Sequence, residues 1–203
     1  MARPRSFDEN QVLRIARDRF WSAGYAATSV EDILTATGLG KGSFYGAFGD
    51  KRKLFQRVFD DYCTGLIEVL RRELDGPDEG AFARLRAQIM AIADETAADT
   101  CLRGCLLAKG TAELSEHDPQ ITAIARRTFD AIEEMLTACV AAAQRAGEIS
   151  PDADPARLAA LLLAVLRGIE ALGKAGGSPA SLPRIAETAL SLLPTHKTMA
   201  PAN

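Results

Sequence analysis

The chain has 203 residues, 47% of them hydrophobic, and a net charge of −3. That length fits one large domain or a small domain joined to a larger one, with enough apolar material for a globular core. The longest apolar stretch, residues 158–166, is far shorter than the roughly 20 residues of a membrane span. Because the basic N-terminus leads into a charged segment rather than an apolar signal core, we expect a cytoplasmic protein without a membrane segment.

Charge is distributed unevenly along the chain. Residues 1–57 contain ten Lys or Arg and six Asp or Glu, a net charge of +4, and the remainder carries −7. A basic head on an acidic body is typical of a module that binds a polyanion, joined to a domain with another role. On charge alone, an unevenly charged solvated surface is the better explanation.

The many Ala and Leu residues, and the absence of β-branched runs of strand length, predict an all-α fold. In the N-terminal quarter, apolar residues recur at helical spacing between glycine stops and polar N-caps. The predicted caps are Ser6 or Asp8 for the first helix, Thr28 and Ser29 for the second, and Asp50 for the fourth. The first four helices are therefore expected at residues 8–23, 28–38, 41–48 and 50–74.

Further helices are expected at residues 79–99, 102–115, 119–146, 155–174 and 181–193, which gives about nine in total. The last two carry Leu and Ile at three- and four-residue steps, a stripe too broad for an ordinary surface. It indicates either a core within the chain or a helix pair buried against a second copy. The candidate dimer-interface residues are Leu161, Leu162, Val165, Leu166, Ile169 and Leu190.

Residues 30–53 have the layout of a helix-turn-helix, two short helices joined by a glycine-containing turn. In such a unit the second helix enters the major groove of DNA. The segment 41–48 has Gly42 and Ser43 on one side and Phe44 and Phe48 on the other. Since each glycine costs roughly 1 kcal/mol relative to alanine inside a helix, the glycines indicate close approach to another surface, and DNA is the obvious one.

Three runs of residues resemble the signature of the TetR family of transcriptional regulators. They are F-W-x-x-G-Y-x-x-T-S-x-x-D-I at 20–33, A-T-G-L-G-K-G-S-F-Y at 36–45 and F-G-D-K at 48–51. The resemblance covers about residues 8–55 without a gap. It implies a three-helix DNA-binding domain at 1–55 and a helical effector-binding and dimerisation domain at 56–203. It further implies a homodimeric repressor that a small molecule releases from a palindromic operator.

Carried over by position, the resemblance places the start of the third helix in the groove, with the hydroxyl of Tyr45 on a phosphate. Helix N-termini attract anions through their free amides, which predicts further phosphate contacts at the starts of the second and fourth helices. Arg3 and Arg5 would reach the minor groove, unless they form a solvated arm. The residues expected to bind DNA are Thr28, Ser29, Lys41, Gly42, Ser43, Tyr45 and Lys51.

The C-terminal domain is expected to enclose a small-molecule effector in an apolar cavity. No cluster of metal ligands stands out, because the chain has only two His, so we predict no metal. The candidate effector-binding residues are Phe82, Met90, Cys105, Leu106, Phe129 and Met135.

Four cysteines without an export signal are expected to be reduced. The segments 103–109 and 172–174 resemble those of the electrophile-sensing NemR-type repressors, which implies a modified cysteine paired with a lysine; the redox candidates are Cys105, Lys109 and Lys174. A thiol in the first turn of a helix, with Lys109 one turn on, would have a stabilised thiolate. Inert packing of Cys105 in the core is the alternative.

An alternative from another class is a small-molecule-binding enzyme or carrier with a vestigial DNA-binding head. Residues 38–43 superficially resemble a phosphate-binding loop, but a P-loop requires Ser or Thr directly after the lysine, where Gly42 stands. No catalytic triad or carboxylate pair is apparent, so we predict no enzyme and no cofactor. Activation instead of repression stays open.

Overall fold

The computed structural model describes residues 7–195. Within that range the chain forms nine α-helices, and the only β-type pairing is an isolated antiparallel bridge between Ile149 and Thr195. The predicted all-α fold is confirmed. Arg3 and Arg5 lie outside the described residues. The helices are α1 (Glu9–Ala23), α2 (Val30–Thr37), α3 (Lys41–Phe48), α4 (Lys51–Leu74), α5 (Ala81–Ala98), α6 (Leu106–Leu114), α7 (Pro119–Arg145), α8 (Pro155–Lys174) and α9 (Ser181–Ser191).

Three of the predicted N-caps have the expected geometry. The carboxylate of Asp8 accepts the amide of Asn10 at 2.9 Å, and Ser29 forms a capping box at the start of α2. The carboxylate of Asp50 accepts the amide of Lys53 at 2.7 Å in the first turn of α4. These caps explain why the first four predicted helices agree closely with the structure.

Helix α6 begins four residues later than the sequence predicted. Leu102 and Gly104 have φ angles of +50° and +61°, which no α-helix tolerates. The carboxylate of Asp99 holds this loop by accepting the amides of Cys101 at 3.1 Å and Arg103 at 2.7 Å. Cys105 is therefore the N-cap of α6 with an extended backbone, and its predicted place in the first turn is wrong.

The described residues divide into two compact units. Unit one comprises residues 7–64 and 105–126, and unit two comprises residues 65–104 and 127–195. Unit one thus contains α1–α3, α6 and parts of α4 and α7, so that α6 belongs to the same unit as the helix-turn-helix. Among the described residues, no helix is both long and apolar enough to cross a membrane.

The core of unit one is aromatic. Phe20 of α1 meets Phe55 of α4 edge to face, with ring centroids 5.0 Å apart, and Phe55 stacks on Phe59 at 5.7 Å. Phe44 and Phe48 of α3 are also buried, with exposed fractions of 0% and 3%. Because α3 directs both rings inward, its opposite side faces away from the core.

In unit two, α5, α8 and α9 pack against one another. Four of the residues predicted to form the dimer interface lie inside this core, because α8 and α9 use them to contact α5 and each other. Their side chains are not available to a partner. They are Leu162, Leu166, Ile169 and Leu190, each no more than 2% exposed.

Candidate nucleic-acid interface

The exposed side of α3 has the chemistry of a DNA-reading surface. Lys41, Gly42 and Ser43 form its first turn, and all three are exposed. Tyr45 is 44% exposed and its ring meets the buried Phe44 edge to face at 5.3 Å. The exposed side of α3 therefore carries hydroxyl and ammonium groups next to a glycine, and the Tyr45 ring on this side packs against the buried Phe44.

No steric contact within the described chain explains why α3 has glycine at positions 42 and 46. A methyl group added at Gly42 or at Gly46 would meet no atom within 4 Å, and both residues have ordinary helical φ angles. Alanine would fit at both positions and favour the helix by roughly 1 kcal/mol each. The packing of the described chain therefore does not explain glycine at either position. Gly46 lies four residues after Gly42 and is also exposed, but it was not among the individual residues predicted to bind DNA.

The N-terminus of α3 is open to an anion. Its N-cap, Gly40, makes no side-chain hydrogen bond, and the first turn contains no acidic residue. The ammonium of Lys41 lies 3.7 Å from the carboxylate of Glu31, but both side chains are more than 60% exposed, so this pair is weak. A phosphate can therefore meet free amides and a lysine here.

Ser29 lies exposed at the start of α2, but its hydroxyl is already engaged. It donates to Asp32 Oδ2 at 2.7 Å and accepts the amide of Asp32 at 3.0 Å. Hydrogen bonds from Ser29 hold the pKa of Asp32 below its ordinary value. With Glu31 also in the first turn, a phosphate at this helix end would face two carboxylates.

Thr28 and Lys51 have structural roles instead of the predicted phosphate contacts. Thr28 is 1% exposed, and its hydroxyl donates to the carbonyl of Gly24 at 2.7 Å. Lys51 donates to the carbonyls of Tyr25 and Thr28, both at 3.0 Å, and its ammonium lies 4.2 Å from the centre of the Tyr25 ring. Both residues hold the turn between α1 and α2, so their assignment to phosphates is corrected.

Two family models match the chain, one at each end. Residues 12–58 match the bacterial regulatory proteins of the tetR family, and residues 81–189 match the tetracyclin repressor-like C-terminal domain. The chain belongs to the TetR family. The prediction made from residues 8–55 is confirmed, and this TetR-family protein is a DNA-binding transcriptional regulator with a helix-turn-helix.

Known proteins resemble this TetR-family chain along most of its length. The HTH-type transcriptional repressor ComR of Escherichia coli K12 is 29% identical over 192 residues, which cover 95% of this chain and 91% of ComR. The repressor BdcR, also of Escherichia coli K12, is 28% identical over 139 residues, or 66% of each chain. A cysteine mutant of the TetR-family regulator CifR, solved with 26 bp of double-strand operator DNA, has a TM-score of 0.81 and 25% identity, covering 95% of this chain and all of that one. Reduced Escherichia coli NemR, at 16% identity, 90% and 93% coverage and a TM-score of 0.75, shows the fold alone.

The predicted effector-binding residues are distributed over both units of this TetR-family protein. Cys105 and Leu106 are buried in unit one. Phe82, Met90 and Phe129 are half-buried in unit two. Met135, also half-buried and in unit two, lines a cleft of about 260 Å³ with Leu74, Cys139, Arg71, Arg84 and Arg145. Burial raises the pKa of the Cys139 thiol, so this thiol stays protonated.

The redox candidates have contacts that the sequence did not predict. Cys105 is 7% exposed, and its Sγ lies 3.7 Å from the hydroxyl oxygen of Tyr62. The ammonium of Lys109 donates to the carbonyls of Trp21 at 2.8 Å and Ser22 at 3.2 Å. In unit two, Lys174 donates to the carbonyl of Arg103 at 3.5 Å. Within the part of the chain that the structure describes, no group of three or more His, Cys, Asp or Glu could hold a metal ion.

Proposed function

We propose that this chain is a homodimeric repressor that binds a palindromic DNA operator through α3 and leaves it when an effector binds or a thiol is modified. The observation that carries this proposal is the open side of α3, where two glycines have no steric reason within the described chain. The printed names of ComR and BdcR as repressors, and the operator complex of CifR, support it.

The groove-facing residues that we propose share the exposed side of α3. A bare backbone at Gly42 and Gly46 lets the helix approach base edges closely. The free amides of the first turn and the Tyr45 hydroxyl would bind phosphates and fix the register on the duplex. Ser29 is left out of the proposed set, because Asp32 already holds its hydroxyl. The proposed groove set is Lys41, Gly42, Ser43, Tyr45 and Gly46.

The dimer interface that we propose is the exposed side of α8, opposite to its core side. Leu161 and Leu172 are each 48% exposed. Between them on this side lie Ala164, Gly168 and Ala171, and Ala160 directly precedes Leu161; all four are exposed. A row of small residues between two leucines allows two helices to approach closely across a twofold axis. Val165, which is half-exposed, lies at the edge of this surface. A dimer places its two recognition helices about one DNA turn apart.

Two signals for release are included in the proposal. The domain of residues 56–203 would bind a small molecule at Phe82, Met90, Phe129 and Met135. Modification of Cys105 would disturb Tyr62, whose ring meets Trp21 edge to face at 5.2 Å. Inert core packing of Cys105, which is 7% exposed, is the alternative. We further propose a cytoplasmic location and no catalytic activity, because the relatives described above are named as transcriptional regulators.

The proposal is tested by selecting DNA with the full-length protein. The wild-type chain is incubated with fragments of its source genome, and the bound fragments are sequenced. We expect enrichment of a palindromic site, bound by two chains per duplex in sedimentation analysis. Enrichment of no sequence above a random background would contradict the proposal. Turnover or binding of a ligand without DNA binding would favour an enzyme or a carrier.

A further inference from the structure

Two charged side chains of α6 form hydrogen bonds with the backbone at the end of α1 and in the turn that follows it. The Lys109 ammonium donates to the carbonyls of Trp21 at 2.8 Å and Ser22 at 3.2 Å. One turn further along α6, Glu113 Oε2 accepts the backbone amides of Tyr25 at 2.8 Å and Ala26 at 3.1 Å. All of these residues belong to unit one.

Each charge meets the backbone partner that it stabilises best. The last carbonyls of a helix lack partners and carry partial negative charge, and the last turn of α1 has no basic residue of its own. Lys109 supplies that charge from α6. The amides beyond the helix end carry partial positive charge, and a carboxylate is the strongest acceptor for them. The two contacts are therefore complementary in sign as well as in position.

The backbone conformation at position 24 favours glycine, and Glu113 lies close to it. Its φ angle is +92°, and a methyl group added there would lie 2.5 Å from Glu113 Oε1. On the other side of the turn, Lys51 binds the Tyr25 carbonyl at 3.0 Å, so that Tyr25 is held through both backbone groups. On α6 itself, a methyl group at Gly110 would lie 2.5 Å from the Phe59 ring, which shows how closely α6 lies on α4.

We propose that Lys109 and Glu113 are positioning residues of the DNA-binding surface. They fix the turn that leads into α2, which starts four residues after Ala26. Helix α2 is in turn joined to α3 through the turn at Gly38. The inference rests on the proposed function, because it assigns DNA affinity to residues that lie far along the chain from α3. It extends the DNA-binding unit beyond residue 55 to include α6.

The test compares variants of α6 with matched controls on a duplex that the wild-type chain recovers from a random-sequence library. Glu113→Ala removes the acceptor, Glu113→Gln restores a neutral one, and Lys109→Met keeps the apolar stem without the charge. Glu116→Gln and Arg126→Met change exposed charges elsewhere in unit one. We expect Glu113→Ala and Lys109→Met to weaken binding at least tenfold, Glu113→Gln to recover part of that loss, and both controls to stay within twofold.

A second measurement separates positioning from general stability. Amide hydrogen exchange at Tyr25 and Ala26 should accelerate at least tenfold in Glu113→Ala, while the buried amides of α5 keep the wild-type rate. Trp21, the only tryptophan, should change its fluorescence in Lys109→Met. If Glu113→Ala does not fold, Glu113→Gln should show weaker DNA binding and faster amide exchange at Tyr25 and Ala26, each to a smaller extent.

The outcomes distinguish this inference from the function on which it rests. Variants of Lys109 and Glu113 that bind the recovered duplex as the controls do would overturn the inference alone. Unchanged exchange at Tyr25 and Ala26 would overturn it as well. A wild-type chain that recovers no duplex from the library would instead remove the proposed function.

Discussion

The guanidinium of Arg52, in the first turn of α4, lies 2.7 Å from the carboxylate of Asp118, which is 2% exposed at the start of α7. Gln56 donates to the same carboxylate at 2.9 Å, and the amide of Gln120 does so at 3.0 Å. Asp118 therefore caps one helix while binding two side chains of another. It joins α4, next to the recognition helix, to α7 within unit one.

Replacing Asp118 by Asn should lower the free energy of unfolding by about 1–3 kcal/mol, because a helix cap and charged hydrogen bonds are weakened together. Burial alone raises the pKa of Asp118, but hydrogen bonds from Arg52 and Gln56 outweigh it and the pKa falls below its ordinary value of 3.8. A lowered pKa means that the folded state favours the ionised form. The stabilisation is complete above that ordinary value and is lost as the pH falls through the lower folded value.

Urea unfolding of wild type and Asp118→Asn between pH 3 and pH 7 measures this effect. The difference in free energy should be largest near neutral pH and should shrink below about pH 4. Asp130→Asn, an exposed change on the same helix, serves as the control and should stay within about 0.5 kcal/mol of wild type. A difference that is independent of pH would show that the ionised carboxylate is not responsible.

Leu161 and Leu162 are adjacent on α8, but Leu161 is 48% exposed and Leu162 is 0% exposed. Leu161→Glu should dissociate the proposed dimer into folded monomers, because it places a charge in an apolar interface. Leu162→Ala should instead lower the free energy of unfolding by about 2–5 kcal/mol. Light scattering and thermal unfolding distinguish the two effects. A Leu161→Glu protein that remains dimeric would exclude this side of α8 as the interface.

The exposed Cys101 should react with N-ethylmaleimide well before Cys105, which is 7% exposed. Mass spectrometry during the reaction, with DNA binding measured in parallel, separates the two thiols. Loss of binding should follow modification of Cys105 and should persist in Cys101→Ser. Binding that is unchanged after Cys105 has fully reacted would assign this thiol to core packing.

Tyr45→Phe should weaken DNA binding three- to tenfold without changing stability, because the ring keeps its packing on Phe44 and only the exposed hydroxyl is lost. The loss should be similar for related operator sequences, as expected of a phosphate contact. Fluorescence anisotropy at two salt concentrations measures it. A change in sequence preference would assign the hydroxyl to a base instead.

Local patterns in the sequence predicted the helix-turn-helix well. The glycine turn before Lys41 marks the start of α3, and Asp50, the cap of α4, marks the point by which α3 has ended. The spacing of Phe44 and Phe48 identifies the core side of α3. The roles of Thr28 and Lys51 could not be predicted in this way. The Lys51 ammonium binds carbonyls 23 and 26 residues earlier in the chain, and such a contact depends on how the helices assemble rather than on any local motif.

The dimer and redox predictions were limited by similar causes. Periodicity identifies an apolar stripe on α8, but only the packing of α5 and α9 decides that Leu162 faces inward and Leu161 outward. The start of α6 was misplaced because Leu102 has a positive φ, which leucine rarely adopts. With Cys105 moved to the N-cap, Lys109 lies where it can hold the end of α1.

Replacement of Gly46 by Ala tests the proposed role of α3 most directly, because it separates stability from DNA binding. A methyl group there meets nothing within 4 Å, so Gly46→Ala should raise the free energy of unfolding by about 0.5–1 kcal/mol. If α3 lies against DNA, the same methyl group should weaken binding to the selected operator at least tenfold. A more stable protein with reduced operator affinity is the predicted result. A more stable protein with unchanged affinity would contradict the assignment of α3 as the DNA-reading helix.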